Sequence, residues 1–244
     1  TAPFPCIATM AESTSSDILT AVDELHSAGK EKEARDQLKA ELAAGRESAE
    51  IYWRLARECR GLANRCPDSE EQRKALIYEA FESAKKGLAA EPDNWSCHKW
   101  MGILLDLTGR FEGTKKRIEN SFLVKEHFTK ALDKKPDDAV VLHCLGVWCY
   151  EVANLSWLQR NMAAAFFAKP PTSTYEEALE YLLRAEKASP NFYASNLNYI
   201  GKAYYQLKKL PEAKEFFQKT INHEADGHDD REAKKEAASL MKKC

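Results

Sequence analysis

His223 and His228 bracket the segment HEADGH, whose residue types are those with which zinc hydrolases hold a metal and activate a water. The spacing decides against that chemistry. Zinc-binding helices carry histidines four residues apart on one face, whereas these stand five apart and diverge, so the segment reads as a surface loop. The seven cysteines, at 6, 59, 66, 97, 144, 149 and 244, are odd in number and form no C-x-x-C pair. Cys59, Cys97, Cys144 and Cys149 sit among apolar helical neighbours. They read as reduced thiols packed as small hydrophobes, which points to a reducing compartment. His98, His127 and His143 fall on helical patterns and read as packing residues rather than ligands. Glu176 and Glu177 lie on an amphipathic pattern and face water. The sequence has no phosphate loop, nucleophile elbow or dinucleotide-binding glycine pattern. No set of residues makes a case for an enzyme, a metal or a cofactor, and a binding protein is expected.

The elements that would position a binding site repeat along the chain. In 244 residues there are only 10 Gly and 9 Pro, with 44% hydrophobic and 30% charged residues and a net charge of −2. That composition suits a folded helical chain, not a disordered or many-turned β one. Ala80 precedes Pro92 by 12 residues, Val124 precedes Pro136 by 12 and Ala178 precedes Pro190 by 12. Each proline follows a helical pattern that it must stop, having no N–H to donate. The clearest unit is 194–225. Leu197, Ile200, Gly201 and Tyr204 take tetratricopeptide positions 4, 7, 8 and 11, and Ala213 and Phe217 take positions 20 and 24. The same frame places Ile18, Ala21, Val22 and Leu25 with Ala34 and Leu38. It places Tyr52, Leu55 and Ala56 with Ala80 and Ala84, and His98, Met101 and Gly102 with Phe128 and Ala131. Leu142, Leu145 and Gly146 pair with Ala178, Leu182 and Ala185. The last three of these units carry insertions of 12, 10 and 20 residues. A polar terminal helix follows at 229–243, capped by Asp229 or Asp230. The expected fold is all-α: a right-handed array of antiparallel helix pairs forming one domain over 15–244. Residues 1–14 are expected to be a disordered leader or a non-native remnant, with Met10 a plausible start.

In such arrays the first helix of each pair lines a concave groove through positions 2, 5, 9 and 12. These are Trp53, Arg57 and Arg60; Lys99 and Ile103; His143, Val147 and Tyr150; and Asn198, Lys202 and Tyr205, with Glu50 and Asp106 as acidic exceptions. Cations interleaved with aromatics suit an extended acidic peptide, unless neighbouring carboxylates already pair them. Residues 95–135 hold nine Lys and Arg against five Asp and Glu, and Lys115, Lys116 and Arg117 form their densest basic point. The insertion at 154–171 is the most apolar. Trp157, Leu158, Met162, Phe166 and Phe167 recur there at helix-like spacing. This extra helix either packs into the core or walls an apolar pocket near Arg57, Arg60 and Lys99. No apolar run reaches the roughly 18 residues that cross a bilayer.

Several stretches go beyond repeat geometry: WRLAR at 53–57, CHKW at 97–100, KEHFTKAL at 125–132, HCLGVWCY at 143–150, LSWLQR at 155–160, PPTSTYEEAL at 170–179 and NFYASN at 191–196. On these residues the chain resembles the regulator of microtubule dynamics family. The resemblance implies a tetratricopeptide-like fold and association with microtubules (tubulin) and spindle poles, hence a cytoplasmic, cytoskeletal location. For at least one member it also implies phospholipid binding at organelle contacts. Microtubule association through acidic tubulin tails is the expected function; phospholipid binding and cochaperone-type peptide binding are the alternatives. A nucleic-acid partner is not expected.

Overall fold

The structure, a computed structural model, describes the backbone of residues 7–65, 69–166, 171–225 and 227–244, and the side chains of those from residue 17 onward except Phe166. Among these residues there are twelve α-helices and no strand. They pair in chain order: α1 (Ile7–Ser27) with α2 (Glu31–Ala43), α3 (Ala49–Arg65) with α4 (Glu70–Ala90), and α5 (Trp95–Glu112) with α6 (Thr114–Lys134). Next, α7 (Ala139–Ala153) skips α8 (Trp157–Phe166) and pairs with α9 (Tyr175–Ala188). Finally α10 (Ala194–Gln206) packs on α11 (Leu210–Ile221), and α12 (His228–Met241) covers that pair. Helix α1 begins at Ile7, inside the stretch expected to be an irregular leader. Cys6, Cys66 and Phe167 lie outside the described residues.

The prolines act where the repeat frame puts them. α4, α6 and α9 each end two residues before Pro92, Pro136 and Pro190. After Pro92 and Pro136 the next helix starts on a side-chain cap: Asn94 accepts from the Cys97 N–H at 3.1 Å and Asp138 from the Val141 N–H at 2.9 Å. Within a pair, a glycine on the first helix receives a large side chain from the second. A Cβ on Gly102 would meet the Phe128 ring at 2.5 Å, and one on Gly201 would meet Phe217 at 2.7 Å. Only a bare Cα lets these helices approach so closely while the ring fills the seam. The second-helix alanines Ala80, Ala131, Ala178, Ala185 and Ala213 are all fully buried.

The insertions have two structural fates. Those of 12 and 10 residues become extra turns. α4 and α6 each have 21 residues, against 14 in α9 and 12 in α11. The tips of the α3–α4 and α5–α6 hairpins therefore extend beyond the regular repeat. The 20-residue insertion holds a separate short helix, α8, which packs on α6.

Candidate binding site: the inner groove and the basic turn

Position 12 of the second unit puts Arg60 on the inner wall of the array, where it pairs with Asp229 at the start of α12. Tyr193 Oη donates to the same Asp229 oxygen at 2.8 Å, and the Asp229 N–H donates to Asn64 Oδ1 at 2.9 Å. Burial opposes ionisation of Asp229, but the Arg60 charge and the hydrogen bonds from Tyr193, Arg60 and His228 hold its pKa at about 2. Two turns on, Glu236 accepts from Lys202 Nζ at 2.9 Å and from Asn198 Nδ2 at 2.7 Å. The other inner-face residues are also engaged. Arg57 binds Asp23 at 2.7 Å and Glu58 at 2.6 Å. Lys99 binds Asp138 at 2.9 Å. Trp53 Nε1 donates to Glu50 at 3.0 Å, and the Arg54 guanidinium lies 4.2 Å over its ring. Tyr150 is buried, its hydroxyl pKa pushed up to about 12 by burial, and Tyr205 packs beside α11 and α12. The cations that the repeat frame assigned to the inner face thus meet carboxylates of the same chain.

The histidines are structural. His143 is buried and its Nδ1–H donates to Asn196 Oδ1 at 3.1 Å, because the Asn196 amide nitrogen is turned to Leu182 O and Glu186. The edges of Phe192, Tyr193 and Tyr199 surround it. Desolvation lowers its pKa to about 4. His98 Nε2–H must donate to the Pro92 carbonyl at 2.8 Å, which leaves its Nδ1 to accept from His127 Nδ1–H at 2.8 Å. His223 meets the Asn191 carbonyl, whereas His228 meets Arg73 and Asp229. Cys59, Cys97, Cys144, Cys149 and Cys244 are free thiols, and burial pushes the first three up to about 12, far from the reactive thiolate.

The basic turn stands on the extended α5–α6 tip. Asp106 is shared by Arg110 at 2.7 Å and Arg117 at 3.3 Å. Glu119 lies between Lys115 at 4.0 Å and Lys116 at 3.7 Å. Four cations therefore surround two carboxylates, and Lys115 is 68% exposed. The first turn of α6 holds no acid and no side-chain cap, so the positive end of the helix adds to this field. On α8, Trp157 and Leu158 are 77% and 63% exposed. They face outward instead of filling the core or walling an apolar cavity. Ala163 is the buried residue of that helix and Met162 is half-buried. The Phe166 side chain is outside the description. The structure brings α8 to α6, while Arg57 and Arg60 stand on α3.

The family profile described as regulator of microtubule dynamics protein 1-3 matches residues 18–244. The chain belongs to the regulator of microtubule dynamics family. It is 41% identical over 226 residues to regulator of microtubule dynamics protein 1 of Bos taurus, covering 93% of this chain and 71% of that one. With the Homo sapiens protein 1 the identity is 43% over 189 residues, covering 78% and 60% of the two chains. With protein 3 of Xenopus laevis it is 39% over 193 residues, covering 78% and 41%. The chain spans 60% to 73% of the length of the protein 1 relatives. Among solved structures it resembles a thermophilic TPR protein of Thermus thermophilus, with a TM-score of 0.61 at 15% identity, covering 92% and 99% of the two chains. It also resembles PilF of Pseudomonas aeruginosa, with a TM-score of 0.55 at 13% identity, covering 95% and 92%. These two establish the tetratricopeptide fold.

For this member of the regulator of microtubule dynamics family, sequence reading placed Arg60, Asn198 and Lys202 on the inner wall but missed what they face. Asp229 or Asp230 was expected to cap α12. Gly227 caps it instead, with the Asp230 carboxylate accepting the Gly227 N–H at 3.0 Å, which leaves Asp229 for Arg60. The available signal was the seven-residue spacing of Asp229 and Glu236, which puts both acids on one helix face. Tyr193 and Arg110 were also missed, since neither occupies an inner-face position of the repeat frame.

Proposed function

We propose that this chain is a non-catalytic binding array that associates with microtubules, docking the acidic tails of tubulin on the basic turn at the α5–α6 tip. The spindle and its poles are the corresponding place of action. The observation that carries this reading is the cluster of Lys115, Lys116 and Arg117 in the first turn of α6, beside Arg110, Asp106 and Glu119. Lys115 and Lys116 are 68% and 45% exposed there, whereas Arg57, Arg60, Lys99 and Lys202 are neutralised within the fold. The names of the family relatives support the same partner. Exposed charges interact over a Debye length of about 10 Å at 0.1 M salt, so such docking weakens steeply as salt rises.

Co-sedimentation with polymerised microtubules across a salt series tests the proposal. Lys115→Glu with Lys116→Glu reverses the exposed charge and spares Arg117, which braces Asp106. This variant is expected to lower affinity at least tenfold with helix content unchanged. Microtubules stripped of their tails should bind as poorly as the variant does. Equal binding of stripped and intact microtubules would overturn tail docking.

A further inference from the structure

The C-terminal helix α12 packs on α11 through a small apolar cluster around Phe217 and Ala237, and meets α3 and α10 through charged and polar pairs. Along α12, Asp229, Ala233, Glu236, Ala237 and Leu240 form one stripe. The two carboxylates stand seven residues apart, about 10 Å along the helix. Arg60 and Tyr193 receive the first, and Lys202 and Asn198, one turn apart on α10, receive the second. The buried apolar residues of α12 are small. Ala233 and Ala237 are buried, while Leu240 and Met241 are only partly buried against Phe217. The regular helix α10, of similar length, buries seven residues, among them Leu197 and Ile200. The seat is also imperfectly satisfied. Asn198 Oδ1 and Asp230 Oδ1 are buried without a hydrogen-bond partner among the described residues. At its N-terminal end α12 reaches across the array, where Asn64 approaches Gly227 closely enough that a Cβ there would stand 2.6 Å from its amide.

We infer that the wall formed by Arg60, Tyr193, Asn198 and Lys202 is a receptor for an acidic helix bearing two carboxylates two turns apart, and that α12 is a resident occupant which a partner helix of that chemistry displaces. The chain itself supplies the evidence for the ligand class, because the helix seated there matches the wall in charge and spacing. This inference does not rest on the α5–α6 reading, and its probe contains no tubulin.

The test uses the full chain and a labelled synthetic peptide of residues 227–244. With the unmodified chain the peptide competes against its tethered counterpart and binds weakly. Asp229→Asn with Glu236→Gln loosens the resident helix, keeps its alanines and should raise peptide affinity at least tenfold by fluorescence anisotropy. A peptide carrying the same two changes should bind neither chain. Unchanged affinity in a double variant of full helix content would make α12 a fixed part of the core and overturn the inference. Should the double variant not fold, hydrogen exchange of the unmodified chain decides. Faster exchange in α12 than in α10 and α11 supports displacement, and equal protection overturns it.

Discussion

At the scale of single residues most buried polar groups find partners within the chain, and His143 shows what burial implies for pH. Its folded pKa, about 4, lies below the ordinary 6.5 because burial disfavours the cation. A depressed histidine binds its proton more readily in the unfolded chain, so its contribution is complete above pH 6.5 and is lost as pH falls toward 4. The full effect is of order 3 kcal/mol. His127, also lowered to about 4 by burial and by the neighbouring His98, acts in the same direction. Urea unfolding at pH 7.5, 6 and 5 should therefore show falling stability in the native chain and a shallower fall in His143→Asn. Parallel slopes would show that the ring takes up its proton equally in the folded and the unfolded chain. The sequence made His143 visible as a groove position, but not its burial, which depends on Asn196 from 53 residues away.

Among the elements, most of the architecture was legible, and the reason is local. Prolines stop helices by their own covalent geometry, and the small-to-large pairing recurs within each unit. Gly201 gives a measurable case. Alanine there gains about 1 kcal/mol of helix propensity but drives a Cβ to 2.7 Å from the Phe217 ring, which is fully buried and cannot retreat. Overpacking of this kind costs about 1–3 kcal/mol, so Gly201→Ala should be net destabilising. Adding Phe217→Leu should recover part of the loss in thermal unfolding; a double variant no more stable than the sum of its singles would refute the contact. The insertions were less legible. Nothing in their periodicity distinguishes a longer helix from a new one, and α8 obeys a helical pattern while leaving Trp157 and Leu158 to solvent.

The whole molecule adds what neither scale contains. Arg60 and Asp229 are 169 residues apart, and their meeting depends on the summed rotation of the intervening pairs. No short-range pattern encodes that distance, which is why the inner wall could be placed from sequence and its partner could not. It also divides the charges by role. Arg57, Arg60, Lys99 and Lys202 meet carboxylates of the chain, while Lys115 and Lys116 stay exposed, so a chain of net charge −2 still presents a positive point to an acidic partner.

The contact of α12 with α3 turns a spring into a clasped spring. Open stacks of helix pairs stretch and recoil, because each unit touches only its neighbours and small rotations accumulate along the axis. Here the last helix grips the second pair through Arg60, Asn64 and Arg73, a contact between units that are not neighbours in the chain. Small-angle scattering should record a larger radius of gyration for Arg60→Gln than for the native chain, with helix content unchanged. An unchanged radius would mean that the curvature is held by the units alone. If the clasp sets it, the span that the array presents to a filament is adjustable, and the latch is one guanidinium on one carboxylate.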